Sequence, residues 1–511
     1  MRRLARLLLL SAVGAVTMLV LPAAAGADHA NRVIENLQAL GHSPHEVSFE
    51  NVPLAQQNIS SDLAFWGNLT FNGNYDGFRI IRSSPANPRE INWTHCNGNQ
   101  GDIVVWGDIL VRAWNTPAPA DDPATPAPEN RFCDGEPVPV GFEGVHIFDI
   151  SNLSDPELIG SVELSQRPMA VREQQNGAIG CGSHTLTAAP DFENDRLIIY
   201  NETSGGPCPF IGILEVPFDD PAAARWLRNE PLLELGPNDA GHDEAVILGD
   251  VNKLAVASHD HANVFDIGEN DTPGGSLEDP QFLFHITEPE VCNEPGNPLC
   301  NGNWHSASFT WDGDVIIMGW EPGGGGLPEC DSVDPPVKRT AFFYDADTGE
   351  KLGQWTLPRT QDSDPPQNCT IHNYNTVPTR NGKHILVTSA YQAGTWVVDF
   401  TDPANPKTLG FADPPPLARV TDPATGQLID ELGGAWSSYW YNGLIHESEI
   451  TKGLNLFRYT GDETRGAVRL KHLNPQTQEF SISAKRGDDD DDGDDDDDRG
   501  GKGRGHDRDD D

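Results

Sequence analysis

Short apolar runs of four to seven residues recur along almost the whole chain, separated by Gly, Asp, Asn and Pro. Runs of this length bounded by turn residues are typical of β-strands, and helical periodicity is nearly absent after residue 46. Before that point, residues 28–46 carry apolar positions at helical spacing with Gly41 as a stop, which predicts a short N-terminal helix. The pattern therefore predicts an all-β protein, preceded by this helix and a lead-in segment over residues 28–60.

The strand pattern repeats. "SDLAFWGNLTF" (61–71) and "GDIVVWGDILV" (101–111) share Asp, Trp and Gly at matching places, which indicates two copies of one β-hairpin. "VHIFDISNLSDPELIGSV" (145–162) matches "TWVVDFTDPANPKTLGFA" (395–412) as strand, Asp-Pro turn and second strand, and residues 78–92 are a degenerate copy. Pro holds φ at about −65° and suits such a turn. A hairpin followed by an Asp-Pro pair makes a four-stranded unit.

Seven such units can be placed along the chain, starting near residues 62, 102, 184, 242, 305, 372 and 436. Four strands per repeat with no helix between them predict a seven-bladed β-propeller over residues 61–484. A bare blade has about 40–45 residues. Some repeats here are longer, because loops rich in Pro and Gly are inserted at 115–130 and 321–336. Residues 46–56 are a candidate for the strand that closes the ring, although they lack clear alternation.

The Asp-Pro elements "FDISNLSDPELIGSV" and "VDFTDPANPKTLGFA" resemble the LVIVD repeat of secreted and surface bacterial β-propellers. The resemblance covers most of residues 50–460. It implies the propeller fold and a secreted or cell-surface location. That family has no common activity, so the resemblance assigns no site residues to this chain.

The two ends of the chain differ from the repeats. Three arginines precede an apolar run at residues 7–21 and the small-residue stretch "AAAGA", which predicts a secretory signal peptide over residues 1–27. A membrane span needs about 20 apolar residues, and this run is shorter. We therefore expect an exported, soluble and monomeric mature chain without a transmembrane span. At the other end, residues 485–511 hold 14 Asp and predict a disordered, solvated tail.

The formal net charge is −44. The tail supplies only a small part of it, because its 14 Asp are offset by six Lys or Arg. A surface this acidic repels nucleic acid and anionic lipid headgroups, so we exclude nucleic acid as a partner, and it attracts cations.

Eight cysteines, an even number, in an exported chain predict disulfides rather than free thiols. Sequence alone leaves about 105 ways to pair them. Nearest-neighbour spacing favours four pairs: Cys96 with Cys133, Cys181 with Cys208, Cys292 with Cys300, and Cys330 with Cys369.

Four of the repeat units open with a histidine, namely His184, His242, His305 and His372. First strands of propeller blades line the central channel, so these imidazoles are expected to converge at one mouth of it. The equivalent places in the other units hold Asp62, Asp102 and Trp436.

Further polar residues are predicted at this mouth, because each second strand ends where the first began. They are His259, Asp260, His261, Glu321, Glu447 and Glu449. Imidazoles accompanied by carboxylates suit Zn, Fe, Cu or Mn. We therefore predict a metal site formed by the four strand-opening histidines, with His259 and His261 as additional ligand candidates and Glu321 or Glu447 as a candidate base. The structural alternative is that each histidine caps the channel and bonds to the backbone of a neighbouring blade.

Two functions remain open, and a third possibility is that the protein is an inert structural surface protein. The first is a cell-surface or extracellular binding module, whose small-molecule or protein ligand lies over the histidine-rich mouth. The alternative is a metal-dependent, oxidoreductase-like enzyme, similar in layout to the carotenoid-cleaving oxygenases, which hold iron on a seven-bladed propeller with four histidines. No sequence motif of that family is present, and neither is a GxSxG, phosphate-loop or HExxH motif, so the catalytic residues stay undetermined.

Overall fold

The structure, a computed structural model, describes residues 33–45, 59–119, 131–164, 181–203, 210–232, 241–258, 261–269, 272–288, 302–322, 325, 330–360, 362, 364–421, 426–430 and 433–482. Seven antiparallel sheets of four or five strands follow one another along the chain. The innermost strands of successive sheets contact each other until the last meets the first. The predicted all-β, seven-bladed propeller is confirmed. Over these residues no helix has the length and apolar character needed to cross a membrane.

Each blade has four strands, counted from the channel outwards. The first strands are Ser60–Trp66, Ile103–Trp106, Thr185–Asp191, Gly241–Ile247, Gly302–Phe309, Tyr374–Thr376 and Ala435–Tyr441. The second strands are Leu69–Asn74, Ile109–Trp114, Arg196–Glu202, Lys253–Ser258, Val315–Pro322, Ile385–Ser389 and Leu444–Glu449. The third strands are Gly77–Arg82, Gly144–Asp149, Phe210–Pro217, Ala262–Asp266, Thr340–Asp345, Thr395–Asp399 and Gly453–Tyr459. The fourth strands are Arg89–His95, Glu157–Glu163, Arg225–Pro231, Gln281–Ile286, Lys351–Thr356, Lys407–Asp413 and Leu37–Pro44.

Short elements complete the described structure. Two two-stranded sheets lie in loops, formed by Phe132–Cys133 with Glu136–Pro137 and by Arg419–Thr421 with Leu428–Asp430. Two single-turn 3₁₀ helices occupy Pro221–Ala223 and Pro336–Arg339.

The repeat pattern located the blades closely. Each first strand begins within three residues of its predicted start. The Asp-Pro elements at 145–162 and 395–412 form the third and fourth strands of blades 2 and 6, and residues 78–92 do the same in blade 1. All three pairs have a bulge in the register, as do the third and fourth strands of the other four blades.

The apolar core lies between neighbouring blades rather than at one centre. Val111 and Ile147 of blade 2, for example, pack with Leu197 and Leu214 of blade 3. Blades stacked in this way bury both faces of their inner strands, which is why Ile103–Trp106 reads as a continuous apolar run without alternation. Burial of each Leu or Ile is worth about 1.5–3 kcal/mol, so these interfaces hold the ring together.

The N-terminal helix predicted over residues 28–46 is wrong over the residues described. Val33–Glu35 pairs with the outermost strand of blade 6, and Leu37–Pro44 is itself the outermost strand of blade 7. The apolar spacing of this segment suits a helix, but the open edges of blades 6 and 7 offer backbone hydrogen bonds that a free helix would leave unused. The ring is thus closed by residues 37–44, and the other candidate, residues 46–56, lies outside the described residues.

The last described residues cross the lower end of the channel, meaning the end where the first strands finish. His472–Leu473 pairs with the end of the first strand of blade 1, and Thr477–Gln478 pairs with that of blade 4. Between them, the Asn474 side chain accepts from the Val105 N–H at 2.9 Å and donates to the Val105 carbonyl at 3.0 Å, as a strand backbone would. We call residues 472–482 the C-terminal crossing segment.

Replacing Asn474 by Ala is expected to lower the free energy of unfolding by about 2–3 kcal/mol, because two buried backbone groups of Val105 lose their partner. Urea unfolding followed by tryptophan fluorescence measures the change. The matched control is Asn381→Ala, in an exposed turn where the amide oxygen accepts from Lys383 N–H. The surface control is expected to lose about 0.5 kcal/mol or less. An equally small loss for Asn474→Ala would contradict the pairing role of Asn474.

Candidate functional site

The four strand-opening histidines lie at the upper ends of the first strands of blades 3 to 6, and we call them the histidine row. His184 and His372 come just before their strands, whereas His242 and His305 lie in theirs at β-bulges, where pairing with the second strand is interrupted. A bulge re-aims the side chain of the extra residue. The same interruption occurs at Asp62 and Trp436 in blades 1 and 7.

Neighbouring imidazoles of the histidine row contact each other. The ring centroids of His184 and His242 are 4.5 Å apart, those of His242 and His305 are 4.0 Å apart, and those of His305 and His372 are 4.3 Å apart. All four side chains are buried, with exposures from 1% to 5%. The structure therefore brings the four predicted residues together, although they span 189 positions of the sequence.

The histidine row forms one side of a small gap at the upper end of the channel. Asp62, Asp102 and Trp436 occupy the equivalent places across it, and the remaining lining residues are Ser61, Gln100, Thr185, Asp243 and Asn373. The free volume is about 10 Å³, which is room for about one water-sized sphere. Organic ligands commonly fill pockets of about 300–1,000 Å³. The gap fits an ion or a single water.

Glu321, at the end of the second strand of blade 5, reaches the histidine row. Its Oε2 is 3.7 Å from Nε2 of His305, and its Oε1 is 3.7 Å from Nε2 of His372. One potential ligand atom from each of His242, His305 and Glu321 lies within 4.8 Å of the others. Two imidazoles with one carboxylate are a donor set suited to Zn, Fe, Mn or Cu.

Groups behind the row orient its imidazoles. Nδ1 of His372 donates to the Trp436 carbonyl, which can only accept, so Nε2 keeps a lone pair facing Glu321. Asp243 lies on the outer side of two histidines, with Oδ1 3.2 Å from Nδ1 of His242 and Oδ2 4.0 Å from Nδ1 of His305. Such outer partners fix ring orientation in metal sites.

Burial sets the charge of these groups. It lowers the pKa of His242 to about 4 and that of His372 to about 3, and it holds the pKa values of His184 and His305 well below their usual range. The imidazoles are neutral near pH 7, which is the form that binds metal ions. Burial also raises the pKa of Glu321 to about 7, against the lowering effects of His242 and of the hydrogen bond from Tyr391.

Other predicted members of the mouth lie elsewhere. Glu447 accepts from Thr395 at 2.6 Å and Asn455 at 2.7 Å, and lines a separate cavity of about 730 Å³ between blades 6 and 7. Glu449 accepts the N–H groups of a turn at Thr451 and of Gly434. Both were expected at the mouth because their strand ends at the upper face, but their side chains point away from the axis.

The additional histidine candidates also differ from expectation. His261 packs its ring against His285, 4.8 Å away, in the fourth strand of blade 4, because it comes after the second strand and begins the return towards the rim. His259 and Asp260 lie outside the described residues.

Sequence reasoning missed Asp243 and Tyr391. Tyr391 follows the second strand of blade 6, donates its hydroxyl to Oε1 of Glu321, and packs its ring 4.5 Å from that of His372. The rule that second strands end at the mouth selects Tyr391 in blade 6 as it selected Glu321 in blade 5. Asp243 has no comparable signal, because only the bulge turns it inwards.

Disulfides join the upper loops of neighbouring blades. Cys96–Cys133 links blade 1 to blade 2, and Cys330–Cys369 links blade 5 to the segment that enters blade 6, as predicted. Cys181 is also disulfide-bonded, whereas Cys208, Cys292 and Cys300 lie outside the described residues. Cys96, Cys133 and His146 also cluster, but the disulfide consumes both thiols and leaves no metal site there.

Blades 2 to 4 also bury four carboxyl groups, those of Asp102, which faces the row across the gap, and of Glu202, Asp243 and Glu244. Burial raises the pKa of each well above its usual range, and the nearby Asp62 raises those of Asp102 and Asp243 further. These acids hold their protons to a higher pH than exposed ones.

Comparison with known proteins gives the fold no family name. No protein-family model matches the chain, and no curated protein matches it. The solved structures that are similar to it include BamB from Moraxella catarrhalis, at 11% identity over 77% of this chain and 82% of that chain with a TM-score of 0.36, and the mitotic checkpoint complex, at 8% identity over 82% and 98% with a TM-score of 0.39. Likenesses this distant say nothing about function. The resemblance to the LVIVD repeat stays a prediction.

Glu202→Gln is expected to stabilise the protein at pH 8 and to have little effect at pH 5. The folded state binds the Glu202 proton more tightly than the unfolded chain, so its contribution is present at low pH and is lost as pH rises towards the raised pKa. Urea midpoints at both pH values measure the difference, with Glu193→Gln, in an exposed turn of the same blade, as control. A Glu202 variant with the same pH dependence as wild type would contradict the raised pKa.

Proposed function

We propose that this protein is an exported β-propeller binding module whose ligand at the histidine row is a transition-metal ion. His242, His305 and Glu321 supply the ligand atoms, and His372 lies within reach beside them. The observation that carries the proposal is the convergence of these donors within 4.8 Å in a buried gap. Zn, Fe, Cu and Mn all accept this donor set.

The hydrogen bonding of the row favours a cation over an empty polar channel. Both nitrogens of His305 face carboxylate oxygens, at 3.7 and 4.0 Å, which is beyond hydrogen-bond distance. Nε2 of His372 presents a lone pair to another acceptor, Oε1 of Glu321. Separations of 3.7 and 4.0 Å are too long for direct hydrogen bonds and suit two ligand atoms that share one metal ion, each about 2 Å from it. His372 bonds to the backbone of blade 7, as the capping alternative predicts, but capping does not account for the spacing of His305 and Glu321.

A metal-dependent oxidoreductase is the second candidate, because two histidines and one carboxylate also form the facial triad of non-haem iron oxygenases. That function requires an organic substrate to approach the ion. The gap of about 10 Å³ has no room for one among the residues described. Binding of the ion therefore takes precedence over catalysis, and a structural or regulatory role of the ion fits the site better than turnover.

Export is part of the proposal. The sequence pattern of residues 1–27 is that of a signal peptide, and these residues lie outside the described structure. The disulfides Cys96–Cys133 and Cys330–Cys369 support an oxidising compartment, since cytosolic proteins rarely keep such bonds. A ligand of the upper face, whether small molecule or protein, would then bind outside the cytoplasm, above the buried gap.

Metal analysis of untagged protein tests the proposal. Wild type is expected to retain about one transition-metal ion per chain after dialysis and to lose thermal stability when a chelator removes it, because an ion bound only to the folded state stabilises that state. His305→Gln is expected to lose the ion. His446→Gln is the matched control, since His446, in blade 7, is equally buried but stacks on Phe65 of blade 1.

Three outcomes would contradict the metal site. Wild type could fail to retain Zn, Fe, Cu or Mn after incubation with each, chelation could leave the unfolding temperature unchanged, or the His305 and His446 variants could retain equal amounts of metal. A set of four His→Ala changes in the row that alters stability alone would favour the structural alternative.

Cleavage of the signal peptide is expected to leave a mature chain that begins at Asp28. N-terminal sequencing of protein recovered from outside the cytoplasm checks this. A protein found only inside cells with Met1 intact would contradict export.

A further inference from the structure

Tyr391 controls one oxygen of the proposed metal ligand Glu321. The phenol donates to Oε1 of Glu321, and both side chains are buried, at 5% and 4% exposure. Oε2 of the same carboxylate is the oxygen that faces Nε2 of His305. The two oxygens of Glu321 therefore have different partners before any ion binds.

The backbone of Tyr391 is held in an unfavourable conformation. Its φ is +43°, in the left-handed region that residues other than Gly, Asn and Asp rarely adopt. The Tyr391 carbonyl accepts from the Ala435 N–H at 2.8 Å and from the Gly394 N–H at 3.0 Å, so blade 7 and the local turn fix this conformation. Strain of this kind, maintained by surrounding contacts, is characteristic of functional sites.

Gly325 lies against the bond between Tyr391 and Glu321. A Cβ at residue 325 would lie 2.5 Å from the Tyr391 hydroxyl and 2.7 Å from Oε1 of Glu321, so only glycine fits, and its φ of +70° also favours glycine. The Gly325 carbonyl accepts from the Asn368 side chain at 3.2 Å, which ties Gly325 to the segment that leads into blade 6. This close cover keeps water away from the phenol and the carboxylate.

We propose that Tyr391 is a positioning residue that occupies Oε1 of Glu321, so that Glu321 binds the metal ion through Oε2 alone, on the side of His305 and His242. This inference rests on the metal site proposed above. A carboxylate held to one oxygen adds one ligand instead of two. The coordination number stays low, and a position beside His372 is left open.

Tyr391→Phe removes the hydroxyl and frees Oε1. Glu321 can then chelate the ion with both oxygens or swing towards His372, and either change raises the coordination number or weakens the site. Co(II) is the probe, because its visible absorption becomes weaker as the coordination number rises. We expect an at least twofold change in molar absorbance and about a tenfold loss of Zn(II) affinity by competition with a chromophoric chelator, as is usual when an outer partner of a metal ligand is removed.

Tyr344→Phe is the matched control. Tyr344, in blade 5, is buried like Tyr391, and its hydroxyl donates to the buried Glu288 at 3.0 Å. Removing this hydroxyl also breaks a buried Tyr–Glu bond, but this bond lies away from the histidine row. We expect the control to lose stability and to keep the wild-type spectrum and affinity.

The outcomes separate the two proposals. Wild-type Co(II) binding with an unchanged Tyr391→Phe spectrum and affinity overturns this inference and leaves the metal site standing, whereas the absence of Co(II) and Zn(II) binding by wild type overturns both. If far-UV circular dichroism shows that Tyr391→Phe does not fold, Gly325→Ala takes its place, since its Cβ displaces the same bond and removes no polar group. A wild-type spectrum of Gly325→Ala would also overturn the positioning role.

Discussion

The packing of each blade's first strand against those of its two neighbours is the constraint on which the rest of the structure depends. Seven strands that meet around one axis place their upper ends on a small circle, so in blades 3 to 7 the residue at this position contacts the one in the next blade. The imidazole centroids of the row, 4.0 to 4.5 Å apart, follow directly from this arrangement. Seven positions in sequence, four of them histidines, therefore form the inner ring of the mouth, and Glu321, Asp243 and Tyr391 contact it from neighbouring positions.

Burial at this circle makes the acids and the proposed ion depend on each other. A low dielectric lowers the pKa of His305 and raises those of Asp243 and Glu321, so each group favours its neutral form. A divalent cation in the gap reverses the preference of the carboxylates and leaves the imidazoles neutral, as coordination requires. The same desolvation that would make isolated carboxylates costly strengthens their attraction to the ion.

The sequence predicted what repeats and could not predict what breaks the repeat. Blade number, blade starts and the convergence of the row follow from matching strands, because a strand's place in a propeller is set by its order. The bulges at His242 and His305, which turn these side chains inwards, depend on pairing with the second strand and have no pattern of their own. Local spacing misled twice: the segment at 33–44 completes sheets instead of forming a helix, and Glu447 lies near the upper end of its strand but faces blade 6.

The C-terminal crossing segment joins the two ends of the channel. A seven-bladed ring leaves backbone groups exposed along its axis, and this segment satisfies those at the lower end by pairing with blades 1 and 4 and through Asn474 with blade 2. From there, Gln476 donates its side-chain amide to Oδ2 of Asp62 at 2.8 Å, and Asp62 also accepts from Asn373, the residue after His372. The polar groups of the mouth thus continue downwards into the segment. Together with the Tyr439 hydroxyl, Gln476 orients Asp62, which faces the row across the gap, so the crossing segment helps to shape a site built from the first strands of the blades.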